Sequence, residues 1–172
     1  MTEKKHKGLG VSLIIIAVIL ILDQVLKIWV KTNMSIGQEI PILGNFFKLL
    51  FIENDGMAFG MLGGGGIIKL LLSIFRIVAV IALFYALFRL TKKGTKFGVL
   101  LGISLITAGA LGNIIDCVFY GKLFHYAGWL QGRVVDMFSF SIFPPIFNLA
   151  DSAITMGVFY MILFQWKWIK SL

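Results

Sequence analysis

The chain has 172 residues, of which 59% are hydrophobic and only 14% are charged, with 16 basic and 8 acidic side chains. Soluble domains average about 45–50% apolar and about 25% charged residues, so this composition argues against a soluble enzyme or a disordered chain. The net charge of +8 would indicate nucleic-acid binding only on a soluble basic face, so no nucleic acid is expected and a membrane protein fits better.

Four apolar runs follow one another along the chain, each near the ~20 residues that a helix needs to cross a ~30 Å hydrocarbon core. We place these runs at about 9–30, 67–90, 97–115 and 146–166. The first run is too long for the apolar core of a signal peptide and is interpreted as a retained helix. The expected fold is therefore a mainly α membrane protein, a four-transmembrane-helix bundle that forms one polytopic domain over residues 1–172.

The charges sort onto two sides of this predicted bundle. Nine basic residues and one acid lie at the two ends of the chain and around the turn at 91–96. Basic segments stay in the cytoplasm, so both termini are expected inside, and the long segments at about 31–66 and 116–145 outside. The other seven acids all fall in the outer half, namely Asp23, Glu39, Glu53, Asp55, Asp116, Asp136 and Asp151.

An ionisable side chain at membrane depth is costly and by default indicates function. Asp23 lies within the first run, and its structural alternative is a pair with Lys27 at i+4 or with Arg76. Asp116 follows the third run, where a polar residue at a helix end would simply meet water.

Asp136 and Asp151 are the most informative acids. Asp136 lies in an apolar stretch that would keep a carboxylate away from bulk water, and Asn148 lies one helical turn before Asp151. Two adjacent carboxylates share one proton, so one can activate a water while the other donates to a carbonyl oxygen. Helix capping and surface solvation remain alternatives for both residues.

A metal or disulfide site is not expected. Cys117 is the single cysteine, and the two histidines lie far apart in the sequence. Acid–base chemistry between two aspartates requires neither a metal nor a cofactor.

Five short motifs together resemble those of bacterial lipoprotein signal peptidase, also called signal peptidase II. The resemblance extends over essentially the whole chain. The motifs are, in order, Asp23-Gln24-Val25-Leu26-Lys27, Glu53-Asn54-Asp55-Gly56-Met57-Ala58-Phe59-Gly60, Gly109-Ala110-Leu111-Gly112-Asn113-Ile114-Ile115-Asp116, Gly132-Arg133-Val134-Val135-Asp136 and Phe147-Asn148-Leu149-Ala150-Asp151-Ser152-Ala153-Ile154.

The resemblance implies a membrane aspartyl endopeptidase that removes the signal peptide of a prolipoprotein just before its diacylglyceryl-modified cysteine. It also implies a small extracytoplasmic β-cradle or helical cap, for which 46–53 is a plausible strand. Asp136 and Asp151 would be the catalytic pair. Supporting or substrate-binding roles would fall to Asp23, Lys27, Asn54, Gly56, Asn113, Asp116, Arg133 and Asn148.

Cys117 departs from the family pattern, because many members carry Arg at this position. A cationic contact to Asp116 is therefore in question, and Arg133 is a candidate to replace it. The expected partners are lipid-modified prolipoproteins and membrane lipids, for a monomer in the bacterial cytoplasmic (inner) membrane with its site near the outer face.

Two other functions remain to be weighed against a protease. A small proton- or cation-coupled transporter could use Asp23, Arg76 and Asp116 as a relay, although its acids should lie near the midplane within an inverted repeat. A non-catalytic assembly or lipid-binding protein would have no need to bring Asp136 and Asp151 together.

Overall fold

The computed structural model describes residues 2–55 and 66–171, and it combines long helices with one small antiparallel sheet. Gly56 lies outside these residues. The elements are, in chain order, α1 (Thr2–Asn33), β1 (Glu39–Leu43), β2 (Phe47–Asn54), α2 (Gly66–Lys92), α3 (Phe97–Ile115), a π-helical turn (Asp116–Tyr120), α4 (Gly121–Leu123), β3 (Val134–Phe140), β4 (Phe143–Phe147), α5 (Leu149–Phe164) and α6 (Trp166–Ile169).

Three helical segments of the described chain are long and apolar enough to cross a membrane. They are Gly8–Asn33, Lys69–Lys92 and Phe97–Leu123, whereas Leu149–Phe164 is a shorter apolar helix. Large apolar side chains on their outer surfaces remain exposed, as in Phe75 at 70% and Leu163 at 68%. Apolar surface of this extent is typical of a face that meets lipid.

Helix α3 lies at the centre, against α1, α2 and α5. Small residues permit its closest contact, because a Cβ added to Gly109 would lie 2.1 Å from the carbonyl oxygen of Ala150, and one added to Gly102 would lie 2.5 Å from the sulfur of Met161. Glycine at these positions therefore brings the backbones of α3 and α5 together, as small residues do between membrane helices.

The third helix continues beyond the predicted end at residue 115. The chain stays helical through the π turn and α4 to Leu123. The alternative considered for Asp116, that it simply meets water at a helix end, is therefore wrong, because its side chain is 0% exposed. An extra residue in a helical turn shifts the side chains that follow, and such π turns are frequent at functional sites.

The sheet has the strand order β1-β2-β3-β4, with every neighbouring pair antiparallel. Strand β2 confirms the strand predicted at 46–53, offset by one residue. The last long helix begins at Leu149, later than the predicted 146, because Phe143–Phe147 form β4. Strand β4 tolerates Pro144 and Pro145 because it is an edge strand, and Pro41 lies in the other edge strand, β1.

A hydrophobic cluster joins the sheet to the helices. Val30 of α1, Phe51 of β2, Tyr120 of the π turn and Met137 of β3 are all buried in it. This packing fixes β3 over the ends of α1 and α3, the position from which it presents Asp136.

Candidate active site

Asp136 and Asp151 come together from different elements. Asp136 lies in the middle of β3 and is 3% exposed. Asp151 lies in the first turn of α5 and is half-buried. The sequence prediction that these two acids lie close together agrees with this arrangement.

Asn148 bridges the two carboxylates. Its side-chain amide donates to Oδ1 of Asp136 at 2.7 Å, and its side-chain oxygen accepts from the backbone N–H of Asp151 at 2.9 Å. Its own backbone N–H faces Oδ2 of Asp151 at 3.4 Å, which completes a capping box. Asn148 is 0% exposed, so one buried side chain caps α5 and orients both acids.

Two further asparagines each hold the carboxylate oxygen that Asn148 does not contact. The amide of Asn54 on β2 donates to Oδ2 of Asp136 at 3.1 Å. The amide of Asn113 on α3 donates to Oδ1 of Asp151 at 2.7 Å, while its side-chain oxygen accepts from Asn148 at 3.1 Å. The carboxylates are therefore positioned by neutral donors, which leave the charge of the pair unaltered.

Burial raises the pKa of Asp136 to about 7, and the negative charge of Asp151 contributes to the increase. The hydrogen bonds from Asn54 and Asn148 act in the opposite direction, because they stabilise the ionised form. A carboxyl group in this environment is still partly protonated near neutral pH, and the protonated form can donate to a substrate.

Lys27 forms a buried ion cluster beside the pair. Its ammonium lies 3.0 Å from Oδ2 of Asp23 and 2.8 Å from Oδ2 of Asp116, and it donates to the side-chain oxygen of Asn113 at 2.9 Å. Lys27 is 0% exposed, and both acids are at most 1% exposed. Of the two partners considered for Asp23, the structure thus selects Lys27 over Arg76.

Each acid of the ion cluster also anchors the backbone next to one member of the pair. Asp116 accepts from the N–H of Val135 at 3.2 Å, directly before Asp136. Asp23 accepts from the N–H of Ala150 at 2.9 Å, directly before Asp151.

Gln24 and Tyr120 extend the hydrogen bonds of the ion cluster, and neither was assigned a role from the sequence. The amide of Gln24 donates to Asp116 at 3.0 Å, and its oxygen accepts from the hydroxyl of Tyr120 at 3.1 Å. Gln24 could have been found as a polar residue within an apolar helix. Gly112 is required here, because a Cβ would lie 2.7 Å from Oδ2 of Asp23.

Arg133 takes a different position from the one considered for it. Its guanidinium pairs with Glu53 and Asp55, each at 3.2 Å, whereas Lys27 provides the cation at Asp116. Asp55 also pairs with Lys69 at 2.7 Å, and Lys31 pairs with Glu53. The hydrogen bond from Lys69 lowers the pKa of Asp55 below its usual value.

A cation also reaches Cys117, the residue that departs from the family pattern. Arg76 of α2 places a guanidinium nitrogen 3.0 Å from the sulfur of Cys117. The sequence missed this contact because residues 76 and 117 lie on different helices.

An apolar groove of about 470 Å³ opens beside Asp151, between β4 and the first turns of α5. Its volume falls within the usual range for small-molecule sites. The lining residues are Phe143, Pro145, Ile146, Phe147, Asp151, Ser152, Thr155 and Met156.

Comparisons with known proteins agree on one family. A family model described as "Signal peptidase (SPase) II" matches residues 15–167. The lipoprotein signal peptidase of Porphyromonas gingivalis strain ATCC 33277 is 39% identical over 184 residues, an alignment that covers 87% of this chain and 80% of that protein. The lipoprotein signal peptidase of Staphylococcus haemolyticus strain JCSC1435 is 36% identical over 165 residues, covering 93% of each chain.

Solved structures also resemble the chain. A bacterial membrane enzyme structure obtained by the in meso method at 2.3 Å resolution superposes with a TM-score of 0.71 at 34% identity, covering 92% of this chain and 88% of that one. A second bacterial membrane enzyme structure, obtained by the same method at 1.9 Å, gives a TM-score of 0.70 at 35% identity.

Proposed function

Because this chain belongs to the signal peptidase II family, it is a protease that removes signal peptides from prolipoproteins, and we propose that Asp136 and Asp151 are its catalytic pair. The observation that carries this proposal is the bridge through Asn148, which contacts both acids from one buried position. The family assignment removes the transporter and the non-catalytic protein from consideration.

The proposed reaction is an aspartyl hydrolysis. The Asp151 carboxylate takes a proton from a water molecule, whose oxygen attacks the carbonyl carbon of the scissile bond. Asp136 donates its proton to the carbonyl oxygen, which gives a neutral tetrahedral diol. The diol then collapses as the C–N bond breaks. Asp151 passes its new proton to the leaving nitrogen, and one hydroxyl of the diol returns a proton to Asp136. The raised pKa of Asp136, about 7, supports its assignment as the initial donor.

The three asparagines are proposed as positioning residues. Asn54, Asn113 and Asn148 donate to the carboxylates from three different elements. Fixed donors keep the acids within reach of one water molecule, and such orientation contributes to the rate by removing the need for rearrangement.

The buried ion cluster would support the pair indirectly. Asp23 and Asp116 hold the backbone before each catalytic acid, and Lys27 neutralises part of their charge. Arg133 is proposed to act nearer the substrate. Gly56, which lies outside the described residues, is likewise proposed as a substrate-binding residue.

The apolar groove beside Asp151 would receive apolar parts of the substrate. One wall is the aromatic strand β4, and the other is the α5 surface that carries Thr155 and Met156. A lipid-modified prolipoprotein that enters sideways keeps its acyl chains in the bilayer, whereas extraction would cost ~0.8 kcal/mol for each CH₂ group. Cleavage is proposed just before the diacylglyceryl-modified cysteine.

The membrane arrangement is part of the proposal. Helix α5 has 16 residues and would be the fourth span, about 24 Å long at ~1.5 Å per residue, with a small β-cradle as the extracytoplasmic cap. The basic residues near both termini and the 91–96 turn support a cytoplasmic side for these segments. The active site then lies near the outer face of the bacterial inner membrane, and the enzyme is proposed to act as a monomer.

The test is cleavage of a diacylglyceryl-modified prolipoprotein by the purified, reconstituted protein. We expect the wild type to cut before the lipidated cysteine, and both Asp136→Asn and Asp151→Asn to lose nearly all activity while remaining folded in detergent. Glu39→Gln is the matched control and should remain active, because Glu39 is 49% exposed and pairs with Lys48, away from the residues assigned to the site. Retained cleavage in either dyad variant would remove that residue from the mechanism.

Addition of EDTA gives an independent check on the reaction type. An aspartyl mechanism needs no metal ion, so the cleavage rate should not change. A rate that falls with the chelator and returns with added zinc would contradict the proposed chemistry without affecting the family assignment.

A further inference from the structure

A second groove lies away from the catalytic pair, at the outer end of the third long helix. It has a volume of about 540 Å³ and shares no lining residue with the groove beside Asp151. Its walls are Phe119, Lys122, Leu123, His125 and Trp129. The proposed reaction uses none of these residues.

The groove wall is apolar and open to the surroundings. Phe119, Leu123 and Trp129 are 46%, 58% and 57% exposed. Phe119 and Leu123 are four residues apart on the helical segment and so share a face, and the ring of Trp129 meets Phe119 edge-on at 5.7 Å. Because this helix is long and apolar enough to cross the membrane, its outer end lies at the level of lipid head groups.

The backbone holds the groove open in a fixed shape. The chain turns back on the helix after Leu123, with positive φ angles of 58° at His125 and 64° at Leu130. The N–H of Leu130 donates to the carbonyl of Val118 at 3.1 Å. The returning chain packs so closely that a Cβ on Gly121 would lie 2.6 Å from the carbonyl oxygen of Gly128.

The charge of the groove is positive. Lys122 is exposed and forms no ion pair with a side chain in the described ranges, in contrast to the paired Lys31, Lys48 and Lys69. No acidic residue lines the groove. An unpaired ammonium beside an apolar wall complements a ligand with an anionic head and an acyl tail.

We propose that this groove binds an anionic phospholipid, with one acyl chain along Phe119, Leu123 and Trp129 and the phosphate beside Lys122. Trp and Lys at a membrane interface are also common as simple anchors. A simple anchor would not distinguish lipids whose head groups differ in charge, whereas the proposed site should prefer an anionic lipid. This difference makes the proposal testable.

Trp129 serves as the reporter in the test. The full chain carrying Trp29→Phe, Trp166→Phe and Trp168→Phe retains Trp129 as its one tryptophan of four. Reconstituted into phosphatidylcholine nanodiscs, it is titrated with chain-brominated phosphatidylglycerol or chain-brominated phosphatidylcholine, and tryptophan quenching is measured. We expect the mole fraction that gives half-maximal quenching to be about fivefold lower for phosphatidylglycerol than for phosphatidylcholine. One lysine at a membrane surface provides an effect of this size.

Two variants of the reporter distinguish the site from general charge attraction. Lys122→Gln should remove the preference for phosphatidylglycerol, whereas Lys48→Gln, with the same charge change on the sheet, should retain it. Equal quenching by both lipids in the wild type, or a preference that survives Lys122→Gln, would overturn the proposal. Displacement of the brominated lipid by a diacylglyceryl lipopeptide would also overturn it, because the groove would then belong to the substrate path.

Discussion

Asp23 accepts a hydrogen bond from the backbone N–H of Ala150 at 2.9 Å, although the two residues are 127 positions apart in the chain. Ala150 is 0% exposed and precedes Asp151 at the start of α5. A helix N-terminus carries N–H groups without intrahelical partners and a partial positive charge. Asp23 therefore stabilises α5 and at the same time fixes the position at which Asp151 emerges.

Removal of Lys27 should show how far the pair depends on the buried ion cluster. Lys27→Met leaves Asp23 and Asp116 buried without their cation, a change that typically costs about 3–5 kcal/mol. We expect a lower melting temperature in detergent and little cleavage. Lys48→Met is the control, because its partially exposed pair with Glu39 should contribute at most ~1 kcal/mol. Equal stability of the two variants would contradict the role assigned to Lys27.

The close approach of α3 and α5 predicts a strong effect from one added methyl group. Gly109→Ala places a Cβ 2.1 Å from the carbonyl oxygen of Ala150, so α5 must shift, at a cost of about 1–3 kcal/mol, and Asp151 shifts with it. Cleavage should fall by at least tenfold. Gly10→Ala meets no atom within 4 Å and should be neutral or slightly stabilising, because alanine favours the helix. An active Gly109→Ala enzyme would refute this packing argument.

The pKa of Asp136, about 7, predicts how the rate depends on pH. The donor loses its proton as the pH rises through this value, so the rate of cleavage should fall on the alkaline side. The hydrogen bond from Asn54 lowers this pKa, so Asn54→Ala should move the alkaline limb to higher pH. A limb that stays in place or moves to lower pH would exclude Asp136 as the group responsible.

The same pKa has a consequence for stability. A carboxyl group whose folded pKa lies above the unfolded value of 3.8 favours the folded state most below pH 3.8, and this contribution is lost as the pH rises towards about 7. Asp136→Asn cannot ionise, so its melting temperature should rise relative to wild type between pH 4 and pH 8. A constant difference across that range would show that burial does not perturb Asp136.

The groove beside Asp151 should influence which substrates are cut. Thr155 is exposed and lines the groove, so Thr155→Trp should fill part of it without destabilising the protein. We expect kcat/KM to fall by about tenfold or more for prolipoprotein. Phe159→Trp lies on the same helix outside the groove, and Phe159 is 58% exposed, so this control should retain the wild-type kcat/KM. Similar values for both variants would place the substrate elsewhere.

Local pattern was sufficient to predict much of this fold. The apolar runs correspond to long helices, and the strand around Phe51 follows from β-branched and aromatic residues. The motif set also gave the residues that surround the pair, because Asn113, Asn148, Asp136 and Asp151 do converge.

Tertiary contacts determine the structural features that could not be predicted from the sequence. The helix continues past Asp116 because Lys27 and the N–H of Val135 satisfy that carboxylate inside the protein. Strand β4 includes two prolines because its pairing with β3 overrides their usual effect. The choice of Lys27 over Arg76 as the partner of Asp23 depended on how α1 and α2 pack, which no single segment encodes.

All three prolines of the chain lie in the two edge strands of the sheet, β1 and β4. Successive N–H groups of a strand point to opposite sides, so the adjacent Pro144 and Pro145 leave the open edge of β4 short of a donor. This shortage disfavours the addition of an extended peptide as a further strand at this edge, because strand addition relies on main-chain hydrogen bonds. The same shortage of donors disfavours pairing between the sheets of neighbouring copies of the enzyme.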